Sequence, residues 1–282
     1  MLRSAPRTAP RTATDFVPDV SPPRIGALII GDEILSGKRQ DRHLAHVIAT
    51  LGAHGVGLAW ARYEADDRDA LAATLRDSFA SGDLVFVFGG VGATPDDHTR
   101  QAAGLALGVP LLRHPLAVAE LEAQFGAAAY PHRVLMAEFP VGAAIIPNPV
   151  NRVASFSIRD HYFFPGFPQM AWPMLDWVLA TRDPPLDSPA PGERAIVVHG
   201  AGESQLLPLM NECVARYPQL KLFSLPSMVV DGRRRIELGF RGDTAALDAA
   251  IADLVAGVEA GGFCWEPFTP ESDDEVPQKA AP

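Results

Sequence analysis

The chain has 282 residues, of which 48% are hydrophobic and 21% charged, and its formal net charge is −10. This size and composition are typical of a globular protein with one large core, or one core and a smaller second one. The negative charge argues against nucleic-acid binding through clustered lysine and arginine, and no apolar run reaches the ~18 residues of a membrane helix.

Composition predicts two folded domains between unstructured ends. Residues 1–23 carry interleaved prolines and two copies of APRTA, which favours a disordered tail over a targeting segment. Residues 263–282 are polar, acidic and proline-rich, and predict a second tail. The proline-rich stretch 183–193 predicts a linker. The folded domains should therefore cover residues 24–182 and 194–262.

Short apolar runs alternate with helix-period segments in the first domain. The pattern predicts strands at 25–30, 56–63 and 84–88, and helices near 41–52, 66–80 and 95–107. This alternation is typical of a three-layer α/β fold, with helices on both faces of a mainly parallel sheet. Ligands of such folds bind beyond the carboxyl ends of the strands.

The second domain has a different order of elements. Its pattern predicts strands at 195–200, 220–226 and 234–240, and helices at 204–217 and 244–260. The order β-α-β-β-α is typical of a small α+β module of the ferredoxin-like type. Such modules host many unrelated functions, so the order predicts no activity.

The segment GGVGATPDDHT follows the third predicted strand. Its three glycines, Gly89, Gly90 and Gly92, form a turn in which backbone N–H groups could approach a phosphate. Next, Thr94 is predicted to be the N-cap of a helix that begins at Pro95.

Two pairs of acidic residues follow predicted strands. A helix N-terminus stabilises one carboxylate, and Asp97 also fits the third position of a capping box, but adjacent Asp96 would repel it. Likewise, Asp32 and Glu33 come directly after the first strand. A divalent cation such as Mg²⁺ would relieve this repulsion by bridging carboxylates to a phosphate. We therefore predict a metal site at this edge of the sheet.

Four segments in order carry a family resemblance. They are GDEILSGKRQD, GGVGATPDDHT, IIPNPV and FFPGFPQM. Together they resemble the molybdopterin-binding fold of MoaB/Mog-type proteins, and most of all the N-terminal part of the competence/damage-inducible protein A family. The segments also resemble the molybdopterin-binding-like domain of eukaryotic FAD synthases. HGAGESQL and the module after it are similar to the second domain of the bacterial family, so the resemblance spans residues 24–260.

The resemblance implies a pocket for a pterin or a nucleotide phosphate, with metal-dependent cleavage of a nucleotide pyrophosphate such as ADP-ribose or FAD. It implies metal ligands Asp32, Glu33, Asp96 and Asp97; catalytic residues Asp97, Asp96 and Glu33; and substrate or phosphate contacts from Gly89, Gly90, Gly92, Thr94, Asp41, Asn148, Gly166 and Pro168. In the implied mechanism, water activated by the metal attacks one phosphorus of a diphosphate while a carboxylate accepts the proton.

Two other functions stay open. One is non-catalytic binding of molybdopterin, or another phosphorylated pterin, in molybdenum cofactor metabolism. The other is a regulatory or assembly role with a vestigial pocket. We expect a cytoplasmic protein, because Cys213 and Cys264 lack paired spacing and suit a reducing compartment. We also expect a homo-oligomer whose partner is a small nucleotide or pterin. His43 and His46 are interpreted as surface residues of a helix.

Overall fold

The computed structural model describes residues 23–186, 191–228 and 234–269. The chain divides into two compact units, Met1–Leu51 with Gly57–Ser188, and Gly52–Val56 with Pro189–Pro282. Most of the two predicted tails lies outside the described residues, which leave out 1–22 and 270–282. In the described part of the chain, no helix is both long and apolar enough to span a bilayer.

The first unit contains eight strands, six α-helices and two short 3₁₀ helices, Gly126–Ala129 and Arg133–Ala137, among its described residues. Its first half comprises β1 (Ile25–Ile30), α1 (Asp32–Leu35), α2 (His43–Ala53), β2 (Leu58–Glu64), α3 (Arg68–Ser81) and β3 (Leu84–Phe88). Its second half comprises α4 (Thr99–Leu107), β4 (Leu111–Arg113), α5 (Pro115–Phe125), β5 (Glu138–Pro140), β6 (Ala144–Ile146), β7 (Ser155–Ile158), β8 (His161–Phe164) and α6 (Pro168–Thr181).

Six of these strands form one sheet in the order β2-β1-β3-β8-β7-β6. The first four are parallel to one another. β7 runs antiparallel to β8, and β6 runs antiparallel to β7, so β7 alone is reversed within this sheet. Every residue of β1 and β3 is buried, because helices cover both faces of a central parallel strand. The prediction of a mainly parallel three-layer α/β fold is confirmed. Separately, β4 and β5 form a two-stranded sheet.

The second unit has the ferredoxin-like arrangement. Its elements are β9 (Gly192–His199), α7 (Glu203–Arg216), β10 (Lys221–Met228), β11 (Arg234–Gly242), α8 (Thr244–Ala260) and β12 (Cys264–Pro267). The four strands are antiparallel in the order β10-β11-β9-β12. One apolar core joins both helices to the sheet through residues such as Leu206, Phe240 and Leu254. As predicted, α8 begins at Thr244, where the Asp243 carboxylate accepts a hydrogen bond from the N–H of Ala245.

Two predicted boundaries of the second domain are wrong. Strand β12 pairs with β9 along its whole length, so the domain continues beyond residue 262 to Pro267. The predicted tail was assigned too early because the charged and proline-broken sequence after β12 concealed a short edge strand. Strand β9 also begins at Gly192, two residues inside the segment that was predicted to be linker.

His161 is a buried histidine in the first unit. Its Nε2 lies 2.8 Å from the hydroxyl oxygen of Ser78, and its ring centroid lies 4.1 Å from that of Phe79. Burial is the main cause that lowers the pKa of His161 to about 4, helped by Arg159 and opposed by Asp83. The folded protein therefore favours the neutral imidazole.

We expect His161 to make the first unit sensitive to acid. The unfolded imidazole takes up its proton near pH 6.5 and the folded one near pH 4, so the unfolded state binds more protons between these values. The free energy of unfolding then falls as the pH falls, by on the order of 3 kcal/mol across this window. In His161→Phe this part of the pH dependence should disappear in urea unfolding, whereas exposed His132→Gln should keep it. Equal slopes in wild type and His161→Phe would contradict the assignment.

Candidate functional site

A cavity of about 470 Å³ lies at the carboxyl ends of β1, β3 and β8. Of the predicted site residues, nine line it: Glu33, Gly89, Gly90, Gly92, Thr94, Asp96, Asp97, Asn148 and Gly166. Ligands of open α/β sheets bind at this edge. Three predicted site residues, Asp32, Asp41 and Pro168, do not line this cavity.

Asp66 is an acidic residue of this cavity that sequence reasoning missed. It follows β2, and its carboxylate accepts a hydrogen bond of 2.9 Å from the N–H of Asp32. In return, the Asp66 N–H donates to the Asp32 carboxylate at 3.3 Å. The sequence did contain a signal, because EADD at the end of β2 is an acidic turn like those after β1 and β3. Asp32 therefore holds Asp66 in place.

Burial and the neighbouring charges of the cavity shift the pKa of Asp66. Burial raises the pKa of its carboxyl group, and the negative charges of Asp32, Glu33 and Asp96 raise it further. A hydrogen bond from the Asp32 backbone opposes the shift. The neighbouring carboxylates thus disfavour the charged form of Asp66, and a bound cation would relieve this repulsion.

The predicted metal ligands are not assembled into a closed group. In the part of the chain that the structure describes, no three His, Cys, Asp or Glu side chains form a cluster that could hold a metal ion. However, Mg²⁺ commonly takes only one or two carboxylates and completes its shell with waters and substrate phosphates. The cavity carboxylates Glu33 and Asp96 fit such an open set. Asp32 is directed to Asp66, and one oxygen of Asp97 already has protein partners.

Gly89 and Gly90 shape the wall of the cavity. Their φ angles of 107° and 65° are left-handed, which disfavours residues with a side chain. A β-carbon on Gly89 would also collide with the carbonyl of Ile30, and one on Gly90 with the hydroxyl of Thr99. The sequence predicted glycines that admit a ligand, but these two are already required by the packing of the protein itself.

The helix after the glycine turn begins later than predicted. α4 starts at Thr99, with no side-chain cap, and not at Pro95. The Asp97 carboxylate accepts hydrogen bonds from the N–H of Thr94 at 2.8 Å and from its hydroxyl at 2.5 Å, which closes a separate turn. The Thr99 hydroxyl then donates to the carbonyl of Gly89 at 2.9 Å. The predicted N-cap at Thr94 is therefore wrong, although Thr94 and Asp97 do pair.

Arg100 holds the turn at Gly92 in place through hydrogen bonds, a role that was not predicted. Only 2% of its surface is exposed, and its guanidinium donates to the carbonyl of Gly92 at 2.5 Å. The same group donates to the carbonyls of Leu135 at 2.5 Å and Glu138 at 3.2 Å. Because the three acceptors lie on two separate segments, one buried arginine fixes the Gly92 turn against the wall that carries Met136.

Asp41 and Pro168 belong to a neighbouring cavity of about 430 Å³. Asp41 accepts hydrogen bonds from the N–H groups of His43 and Leu44 at 2.8 and 3.1 Å, and one from the Tyr63 hydroxyl at 2.9 Å. Its carboxylate therefore caps the start of α2. Substrate contact by Asp41 remains a prediction. Pro168 occupies the first turn of α6, where its missing N–H costs no helical bond.

His43 is buried, contrary to its interpretation as a surface residue. Its ring stacks on Phe88 with centroids 4.6 Å apart, and its Nε2 lies 3.1 Å from the carbonyl oxygen of Gly166. Burial lowers the pKa of His43, so the neutral ring donates this hydrogen bond. It thereby ties α2 to the cavity loop at Gly166. His46 stacks on Trp172 with centroids 4.1 Å apart.

Asn148 lines the cavity but is already hydrogen-bonded within its loop. Its amide nitrogen donates to the carbonyl of Val153 at 3.1 Å, and its amide oxygen accepts from the N–H of Val150 at 3.0 Å. With 5% exposure it shapes the loop before β7. Substrate contact by Asn148 remains a prediction.

Comparison with known proteins places this geometry in a family. Residues 26–186 match the family model described as "Probable molybdopterin binding domain". A CinA-like protein of Anaeromyxobacter sp. strain Fw109-5 is 31% identical over 243 residues, covering 78% of this chain and 59% of the relative. Another, from Citrifermentans bemidjiense, is 34% identical over 160 residues, covering 54% and 39%. The chain thus spans less than two thirds of the length of these curated relatives.

A solved structure agrees with this match. The crystal structure of the CinA protein of Thermoplasma acidophilum superposes with a TM-score of 0.51 at 26% identity, covering 55% of this chain and 96% of that one. The family match covers more than half of the chain, including every residue of the main cavity. The chain therefore belongs to the molybdopterin-binding domain family, and its curated relatives include CinA-like proteins.

Proposed function

We propose that the chain is a metal-dependent nucleotide pyrophosphatase that acts on ADP-ribose, FAD or a related dinucleotide. The observation that carries the proposal is that Glu33, Asp66 and Asp96 share one cavity with the glycine turn. A carboxylate such as Asp66, whose pKa is raised by burial and by neighbouring acids, is suited to accept a proton.

The proposed reaction consumes one water. Its oxygen attacks one phosphorus of the diphosphate, the bridging P–O bond breaks, and two monophosphates leave. The proton of the water passes to a cavity carboxylate, and Asp66 is suited to accept it because its pKa is raised. When bound, a divalent cation would neutralise phosphate charge and lower the pKa of the water. Glu33 and Asp96 are the carboxylates proposed to hold that cation.

Arg39 supplies positive charge beside the acids. In the described part of the first unit, it is the only lysine or arginine that lines the main cavity, and it lines the neighbouring cavity as well. Glu33, Gly166 and Phe167 are also common to both cavities. A diphosphate at this shared wall would have room for a group on each side, which suits a dinucleotide.

Binding of a phosphorylated pterin such as molybdopterin, without turnover, is the second candidate. The specific observation that favours it is that residues 26–186, which include the whole cavity, match the family model described as "Probable molybdopterin binding domain". In this case the carboxylates would position a cation-bound phosphate without cleaving it.

Purified protein incubated with ADP-ribose, FAD and related dinucleotides separates these candidates. We expect release of AMP in the presence of Mg²⁺, Mn²⁺ or Co²⁺, and none with EDTA. Absence of AMP with every pair would exclude the pyrophosphatase. Calorimetry with a pterin phosphate would then decide between the binding protein and the vestigial pocket.

A further inference from the structure

A separate cavity of about 240 Å³ lies within the second unit. It is lined by Gly202 and Glu203 at the start of α7, by Pro226 and Ser227 near the end of β10, and by Arg234 at the start of β11. The segment HGAGESQL, to which the sequence assigned no role, supplies the first two. The volume is below the roughly 300 to 1,000 Å³ of sites for drug-sized molecules, so a ligand here would be small.

Arg234 brings a positive charge to this cavity. Its side chain leaves β11 on the same face as Ile236, which belongs to the core shared with the helices. A β-carbon on Gly202 would lie 3.0 Å from Nη1 of Arg234, so the guanidinium lies over the start of α7. In the described part of the chain, the exposed Arg234 side chain has no hydrogen bond or ion pair. A cation is disfavoured at this end of a helix, and a bound carboxylate would relieve that cost.

Glu203 brings a negative charge to the same cavity. The Ser224 hydroxyl donates to its Oε1 at 2.8 Å, which holds the carboxylate on the helix-covered face of the sheet. Among the described residues, Oε2 of Glu203 has no hydrogen-bond partner, and Glu203 forms no ion pair with Arg234. The cavity thus separates a cation from an anion by a space that a ligand could fill.

The remaining lining of the cavity is largely apolar. It includes the exposed Pro226, the buried Ala201 and Ile236, and the small polar Ser227. A side chain of a few carbon atoms could pack here without burying an unpaired polar group. The cavity therefore suits a molecule that joins a carboxylate, an ammonium group and a short apolar chain.

We propose that this cavity binds a free aliphatic α-amino acid. The carboxylate of the ligand accepts hydrogen bonds from the Arg234 guanidinium, its ammonium group donates to Oε2 of Glu203, and its side chain packs against Pro226. Arg235 also lines the cavity but leaves β11 on the opposite face, so Arg234 alone is assigned to the carboxylate. Because the site lies within the second unit, the proposal does not depend on the function proposed for the first.

Calorimetry on the full chain tests the proposal with L-leucine and two analogues. L-Leucinamide lacks the carboxylate, and isocaproate lacks the ammonium group. Wild type should bind L-leucine at least about tenfold more tightly than either analogue, because each analogue loses charge-assisted hydrogen bonds. Arg234→Gln should weaken L-leucine binding by at least about tenfold without weakening that of L-leucinamide. Glu203→Gln should likewise weaken L-leucine binding without weakening that of isocaproate.

Arg241→Gln is the matched control for Arg234→Gln. Arg241 is an exposed arginine of the same strand that does not line the cavity, so its loss should leave the binding of all three ligands unchanged. The Tm of each variant should stay within about 2 °C of wild type, because the three replaced side chains are exposed. If Arg234→Gln lowered Tm further, the comparison of the three ligands on wild type would still decide.

Three results would each overturn the proposal. One is that neither L-leucine nor L-valine binds wild type at millimolar concentration. Another is equal affinity for L-leucine and either of its analogues. The third is that inorganic phosphate binds as tightly as L-leucine, which would indicate a general anion site at Arg234.

Discussion

Arg100→Met is expected to lower the free energy of unfolding by about 3 to 5 kcal/mol. The guanidinium is buried and donates to three backbone carbonyls, those of Gly92, Leu135 and Glu138. Methionine fills much of the space but donates nothing, so these carbonyls lose a charged donor inside the protein. An unsatisfied buried acceptor costs about 1 to 3 kcal/mol, and a water molecule that enters the site would recover part of this cost.

Urea unfolding measures this loss, and Arg68→Met is the control. Arg68 lies on the exposed face of α3 and pairs only with neighbouring Asp69 at 3.2 Å. Its loss should change stability by less than about 0.5 kcal/mol. Arg100→Lys should be intermediate, because one ammonium cannot reach all three carbonyls. A loss below about 1 kcal/mol in Arg100→Met would contradict the role assigned to this residue.

Asp66→Asn is expected to lower kcat for dinucleotide cleavage by about 100-fold or more. The amide can still accept the hydrogen bond from the Asp32 N–H, so the local structure should persist. It cannot accept a proton from water, and it brings no negative charge to a cation. Since Asp66 is repelled by Asp32, Glu33 and Asp96, losing its charge should leave Tm unchanged or raise it.

Asp69→Asn provides the matched control for Asp66→Asn. Asp69 lies three residues further along, is exposed, and does not line the cavity. It should retain wild-type turnover. If Asp66→Asn also retained turnover, the proton acceptor would have to be another carboxylate, and Glu33→Gln and Asp96→Asn would be measured next. A fall in Tm together with activity would indicate a structural role instead.

The sequence predicted strands and helices well where buried apolar residues define them. β1 and β3 are continuous apolar runs, and the structure has them at the predicted residues. α8 is also found at its predicted residues, because an aspartate cap and a long apolar periodicity specify it. These signals are local, so they can be read without knowledge of the tertiary fold.

The wrong or missing predictions concern residues whose contacts depend on the tertiary structure. Hydrogen bonds between Thr94 and Asp97, and between Thr99 and Gly89, delay the start of α4, and no propensity of the helix itself reveals them. Arg100 looks like an ordinary helical arginine until its distant acceptors are known. For β12, the short strand depends on pairing with β9, which the polar sequence around it concealed.

The candidate site was predictable in part. Nine of the predicted residues line one cavity, because the carboxyl ends of parallel strands meet at one edge of the sheet. The capping role of Asp41 was not predicted, because an aspartate before a helix can either cap it or contact a ligand, and only the structure shows its three hydrogen bonds. Asp66 was missed because its acidic turn was interpreted only as the start of a helix.

The most direct test of a nucleotide site in this cavity is a crystal structure with Mn²⁺ and a methylene analogue of ADP-ribose, in which a P–CH₂–P linkage resists cleavage. We expect an anomalous Mn²⁺ peak beside Glu33 and Asp96, with the diphosphate analogue beside the glycine turn of the same cavity. An Mn²⁺ peak away from these carboxylates, or a diphosphate bound outside this cavity, would contradict it.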